Sequence, residues 1–147
     1  MGRLIYSMSV SLDGFVETAS RSLDWVRVDE ELHAVFHDEA RAMGTFLYGR
    51  RVDWNSRLVR DDAVAEVTRL KAQAGFDMDV GGPTLASTLV RAGLVDEYRV
   101  FVHPVILGAG TPFFPALDER IGLTLLETRI FGSGVVFLRY GVSGPAP

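Results

Sequence analysis

Cysteine is absent from the 147 residues, which excludes disulfides and thiolate metal ligands. Charge of one sign is also scarce in any one place. The 15 Lys and Arg stand against 19 Asp and Glu, a net charge of −4, with no basic run and no alternating basic and aromatic track, so nucleic acid is not an expected partner. No apolar run approaches the length of a membrane span. Leu4–Val10 is too short for a signal peptide and runs into acidic turn residues, so the expectation is a cytoplasmic protein with no membrane association. What the chain does hold is 48% hydrophobic residues, enough to fill one real core at this length. A single domain over residues 1–141 follows, with a loose tail at 142–147.

The apolar patterning alternates between strand-like and helix-like. Residues 3–10 form a compact β-branched and aromatic run, ended by the turn Ser11-Leu12-Asp13-Gly14. Asp29 is a helix cap, Glu30 and Glu31 suit the positive end of the dipole, and Leu32, Val35, Phe36, Ala40 and Met43 recur at helical spacing up to Gly44. Thr45–Tyr48 reads as a short strand and Arg57–Val59 as another. A second helix runs from a cap at Asp61 or Asp62 to Gly75, and Phe76–Val80 returns to strand. A third helix, from about Thr84 to Ala92, has Pro83 at its start and Gly93 just past its end, where each residue fits best. Tyr98–Val102 is a strand, and Leu123–Ile130 and Val135–Tyr140 form a hairpin through Phe131-Gly132-Ser133-Gly134. Strands alternating with helices before a terminal hairpin predict an α/β fold: a mixed, mostly parallel sheet with helices on both faces. In that reading Phe76–Val80 and Tyr98–Val102 are neighbouring parallel strands.

The densest chemical signal is Val80-Gly81-Gly82-Pro83-Thr84. Two glycines between a strand and a helix let the backbone come close to a ligand, and the free N–H groups of the helix start attract anionic oxygens such as a pyrophosphate. The same turn also uses glycine for purely conformational reasons. His33 and His37 have metal-compatible spacing but lie off the apolar face of their helix, and no metal is expected. His103, before Pro104, reads as a packing or interface residue. Trp25 followed five residues later by Glu30 at a helix start is similar to the indole and acid pair of dihydrofolate reductases, and that resemblance implies Glu30 as a candidate proton-donating acid. It equally serves the helix dipole, and no residue is assigned a catalytic role.

Taken together, Ser11-Leu12-Asp13-Gly14-Phe15-Val16, Leu47-Tyr48-Gly49-Arg50-Arg51, Gly81-Gly82-Pro83-Thr84-Leu85, Gly93-Leu94-Val95-Asp96-Glu97 and Pro104-Val105-Ile106-Leu107-Gly108 resemble the dihydrofolate-reductase-like domain found at the C-terminus of riboflavin-biosynthesis reductases and as stand-alone proteins. The resemblance implies a three-layer α/β/α domain, NADPH as cofactor and hydride transfer to a small heterocycle such as a pterin or pyrimidine. It also implies a homodimer built on the later strands, an expectation supported by the apolar content of Phe101, Phe113, Phe114, Phe131 and Phe137. Carried over residue by residue, Gly81, Gly82, Pro83 and Thr84 would face the cofactor. Gly49, Arg50 and Arg51 would lie near its pyrophosphate or 2′-phosphate, and Asp13 and Gly14 would begin the loop over its nicotinamide. The alternative is a non-catalytic nucleotide-binding or structural protein that keeps the fold.

Three departures from the family pattern stand out. Val80 occupies a position where the riboflavin branch often has an acid. Val52-Asp53-Trp54-Asn55 follows Arg51 directly, in place of a threonine and a cofactor-binding helix. The strand and serine-rich turn that reach the adenosine 2′-phosphate are missing. If Thr45–Tyr48 and Arg57–Val59 were parallel neighbours, the link between them would fall short of the roughly dozen residues such a crossover takes. The expectation is that about 30–40 residues are missing between Arg51 and Val52, either deleted or skipped.

Overall fold

A computed structural model describes residues 2–48, 62–73 and 75–145. Arg57–Val59 and the Arg51–Val52 junction lie outside these residues. Among the described residues eight strands and three helices follow in the order β1 (Leu4–Val10), β2 (Phe15–Glu17), α1 (Glu30–Ala42), β3 (Met43–Tyr48), α2 (Ala63–Gln73), β4 (Asp77–Gly81), α3 (Pro83–Arg91), β5 (Glu97–Val102), β6 (Thr111–Pro112), β7 (Ile121–Ile130) and β8 (Val136–Pro145). Six strands form the main sheet in the order β3-β4-β1-β5-β8-β7. The first four run parallel, and β8 and β7 close the sheet as an antiparallel hairpin. β8 continues past Tyr140 to Pro145, which pairs with Ile121.

Two cores sit on opposite faces of the sheet. On one, Leu4, Tyr6, Met78, Val80 and Tyr98 meet Val67 of α2 and Ala86, Leu89 and Val90 of α3. On the other, Leu32 of α1 packs with Phe101, Phe131 and Phe137, and Phe36 closes over Phe101 with ring centroids 4.7 Å apart. Period-two alternation explains the split, since successive strand side chains point to opposite faces. Asp29 accepts from the Leu32 N–H at 2.8 Å and so caps α1. Asp62 accepts from the Val64 and Ala65 N–H groups and caps α2. An Asp29→Ala variant is expected to lose about 1 kcal/mol of stability in urea denaturation, and an unchanged midpoint would remove the cap from the account.

Three sequence expectations change and one pair of strands is added. β4 and β5 run parallel but are not neighbours, because β1 lies between them and pairs Tyr6 with Val80 on one side and Tyr98 on the other. The first helix ends at Ala42, so Gly44 is not its terminator but a residue of β3. A Cβ at Gly44 would collide with the Phe76 ring, and this contact is what glycine permits. Phe15–Glu17 and Thr111–Pro112, to which the sequence reading assigned no element, pair as a second, two-stranded sheet. Phe101, Phe113, Phe131 and Phe137 are each 2% exposed, so they fill the protomer's own cores and only Phe114 of that aromatic group reaches the surface.

Candidate functional site

The strand order itself selects a location. After β1 the chain crosses one face through α1 to reach β3, and after β4 it crosses the other face through α3 to reach β5. Loops leaving β1 and β4 therefore diverge, and a crevice opens at their carboxyl ends, where open α/β sheets bind ligands. Register deepens it. β4 stops at Gly81, just past the Tyr6–Val80 pair, whereas β1 continues to Val10 beside β5. The last residues of β1 thus project beyond β4, and Gly81-Gly82 turns away beside them.

Gly82 has φ +105°, a conformation that strains any residue with a Cβ. Nothing lies within 4 Å of where a Gly82 Cβ would be, and at Gly81 the nearest atoms would be the Tyr48 ring at 3.5 Å. Pro83 and Thr84 form the first turn of α3, which has neither a side-chain cap nor an acidic residue in that turn. The contrast with α1 and α2 is chemical, because their first N–H groups are taken by Asp29 and Asp62 and their first turns carry Glu30, Glu31 and Glu66. The α3 start therefore has no side-chain cap on its N–H groups and no acid against its positive dipole end.

Asp13 and Gly14 end the same crevice on the β1 side, held by a dense set of bonds. The Asp13 carboxylate accepts from the Ser11 hydroxyl at 2.6 Å, from the Gly108 N–H at 2.8 Å and from the Leu107 N–H at 3.1 Å. The Ser11 bond, with those N–H groups, holds the Asp13 carboxyl below the usual range. Leu12 donates to Val105 O, and Phe113 donates to Gly14 O. A Cβ at Gly110 would run into the Glu17 carbonyl. Asp13 therefore braces the turn after β1 against residues 105–108, and Gly14, at φ +89°, makes that turn.

His103 follows β5 and is 2% exposed, its N–H donating to Val10 O at 2.8 Å. Trp25 meets it edge to face at 5.5 Å. Neither Trp25 Nε1 nor His103 Nε2 has a hydrogen-bond partner among the described residues, and burial pushes the His103 imidazole down, toward the neutral form. Glu30 is exposed at the start of α1, as are His33 and His37 further along it. Gly49, Arg50 and Arg51 lie outside the described residues.

A residue that the sequence reading passed over is Asp79. Met78 and Val80 on either side point into the α3 core, which turns Asp79 toward α1. Its Oδ1 is buried without a partner among the described residues, and burial pushes its carboxyl up to about 7. The signal was present as an acid flanked by apolar residues in a strand of a sheet covered on both faces, where neither face offers water.

Comparison with known proteins follows this geometry. The model of the RibD C-terminal domain family matches residues 60–137. The uncharacterised protein YyaP of Bacillus subtilis (strain 168) is 31% identical over 182 aligned positions, covering 97% of this chain and 96% of that protein. Because this chain has 147 residues, at least 35 of those 182 positions carry no residue of it. Among solved structures, a protein of Shewanella sp. PV-4 assigned to riboflavin biosynthesis superposes with a TM-score of 0.81 at 18% identity, covering 96% of this chain and 99% of that one. Dihydrofolate reductase of Enterococcus faecalis, solved in complex with NADP(H), gives 0.64 at 12% identity, covering 96% of each chain. No helix among the described residues is long and apolar enough to cross a membrane.

Proposed function

Since the chain belongs to the RibD C-terminal domain family, we propose that it is an NADPH-dependent reductase that delivers hydride to a small heterocycle, a pterin, a pyrimidine or a related ring. The observation that carries this reading is the uncapped, acid-free start of α3 behind Gly81-Gly82, in the crevice between β1 and β4. The residues fit the cofactor. Glycine backbone lets a pyrophosphate approach, and the α3 N–H groups supply donors and positive potential. When bound, NADPH supplies the hydride. The chain's own contribution is to hold the phosphates at Gly81–Thr84 and to brace the covering turn through Asp13. With no catalytic acid assigned, alignment of the two reactants is the main catalytic effect, and such alignment is worth about 7–11 kcal/mol in favourable cases.

Fluorescence titration tests this directly. NADPH is expected to bind with micromolar affinity and to bind at least tenfold more weakly to a Gly82→Ala variant. Absence of quenching at millimolar NADPH would end the reading. The shorter chain favours a second one, since at least 35 aligned positions of YyaP have no counterpart here. In that case the protein binds the nucleotide without turnover, and NADPH would bind yet never be oxidised with any pterin or pyrimidine acceptor.

A homodimer belongs to the same proposal. Its surface is the outer hairpin, where Leu125, Leu126 and Ile130 are 50%, 51% and 76% exposed, an apolar group of the kind that marks association sites. Light scattering at micromolar concentration is expected to give twice the chain mass, and Ile130→Lys to give the monomer. A monomeric parent protein would refute the dimer.

A further inference from the structure

The main sheet ends at β7, whose outer edge pairs with no strand among the described residues. Such an edge presents a row of backbone N–H and C=O groups that another strand can complete. Every residue of β7 from Leu123 to Ile130 is exposed, and its only charged side chains, Glu127 and Arg129, are about half exposed. β3, at the opposite edge, carries no charge, so its side chains specify no register for a partner. Those of β7 do.

Two copies of one edge strand related by a two-fold axis meet antiparallel, and each residue then faces a fixed partner. Centring the pair on Glu127 or on Arg129 sets like charges against each other, which destabilises a sheet. Centring it on Thr128 sets Glu127 against the partner's Arg129 and Arg129 against the partner's Glu127, and it brings Leu126 opposite the partner's Ile130. Leu126 and Ile130 are 51% and 76% exposed, so this register also removes apolar surface from water. The bonds these charges already make do not compete strongly. Arg129 meets Glu31 at 3.2 Å with both side chains about half exposed, and Glu127 stands 3.7 Å from Arg139; exposed pairs of this kind contribute little. We infer that β7 pairs antiparallel with β7 of a second copy of this chain, Thr128 facing Thr128, so that two six-stranded sheets join into one. The pairing specifies the contact within the homodimer proposed above and rests on that proposal.

Analytical ultracentrifugation of the whole protein tests the register through charge reversal. Glu127→Arg alone sets arginines opposite arginines, and Arg129→Glu alone sets carboxylates opposite carboxylates, so each variant is expected to dimerise at least tenfold more weakly than the parent. An equimolar mixture of the two restores both opposite-charge pairs and is expected to form a heterodimer of roughly the parent's affinity, a rescue that a purely local role for either residue would not give. A second measurement leaves the charges untouched. The chain has no cysteine, so Thr128→Cys introduces a single thiol facing its own copy at a separation a disulfide spans. Oxidation is expected to link Thr128→Cys into a covalent dimer and to leave Thr124→Cys, four residues along the same strand, unlinked. A monomeric parent would remove the homodimer and this pairing together. A dimeric parent whose charge variants dimerise undiminished, or stay apart when mixed, would overturn the β7 register and leave the homodimer standing, as would equal linking of the two cysteine variants or linking of neither.

Discussion

Replacing Glu97 with alanine is expected to cost about 3–5 kcal/mol of stability, seen as a lower urea midpoint at unchanged slope. Glu97 is 2% exposed and gathers three guanidinium groups. It accepts from Arg3 Nη1 at 2.9 Å, from Arg99 Nε at 2.6 Å and from Arg139 Nε at 2.5 Å. Those arginines come from β5, β8 and the residue preceding β1, so one carboxylate links three segments of chain across the α1 face. Arg99 is itself buried, and without Glu97 it keeps only Glu39 among the described residues. The cost arises from the uncompensated charge left behind, so converting Glu97 and Arg99 together to methionine is expected to recover most of the loss. A midpoint for Glu97→Ala matching the parent would mean that water enters this network freely.

The second large effect has the opposite sign. Burial raises the Asp79 carboxyl from 3.8 to about 7, and the unfolded chain returns it to the lower value. Below about pH 4 both states hold the proton and Asp79 is neutral to stability. Between about pH 4 and 7 only the unfolded state releases it, and unfolding gains about 1.4 kcal/mol per pH unit. Above pH 7 both states are ionised and the penalty is constant. Asp79→Asn is therefore expected to be more stable than the parent by about 2–4 kcal/mol at pH 8 and to match it near pH 4. An equal gain at both pH values would show that Asp79 ionises without cost in the fold.

Local chemistry was largely legible in the sequence. Pro83 and Gly93 bracket α3, Asp29 caps α1, Gly82 takes a positive φ, and Phe131–Gly134 turns the hairpin, because each feature depends on residues within one turn of itself. The place of β1 between β4 and β5 was not legible. Parallel order is decided by pairing between distant segments, and the apolar runs of all three strands look alike. The β2–β6 ribbon escaped for the same reason, since its two short strands pair across more than ninety residues, as the Glu17–Thr111 bond shows. At the candidate site the glycine turn was visible as a motif. Asp79 and the His103–Trp25 contact became chemical only once the sheet assigned each side chain a face.

The central position of β1 also bears on how the chain reaches this fold during synthesis. Leu4–Val10 is synthesised well before the strands it pairs with: Arg3 bonds Asp77 and Glu97, 74 and 94 residues later, and β1 pairs with no strand nearer than β4 in the main sheet. At roughly 5–20 residues per second, this apolar segment waits several seconds for its partners. Contacts of such long separation also slow folding itself. The nascent protein thus spends its most aggregation-prone interval with its central strand unpaired, and a chaperone that holds Leu4–Val10 is expected to raise the yield more than one that acts on the finished chain.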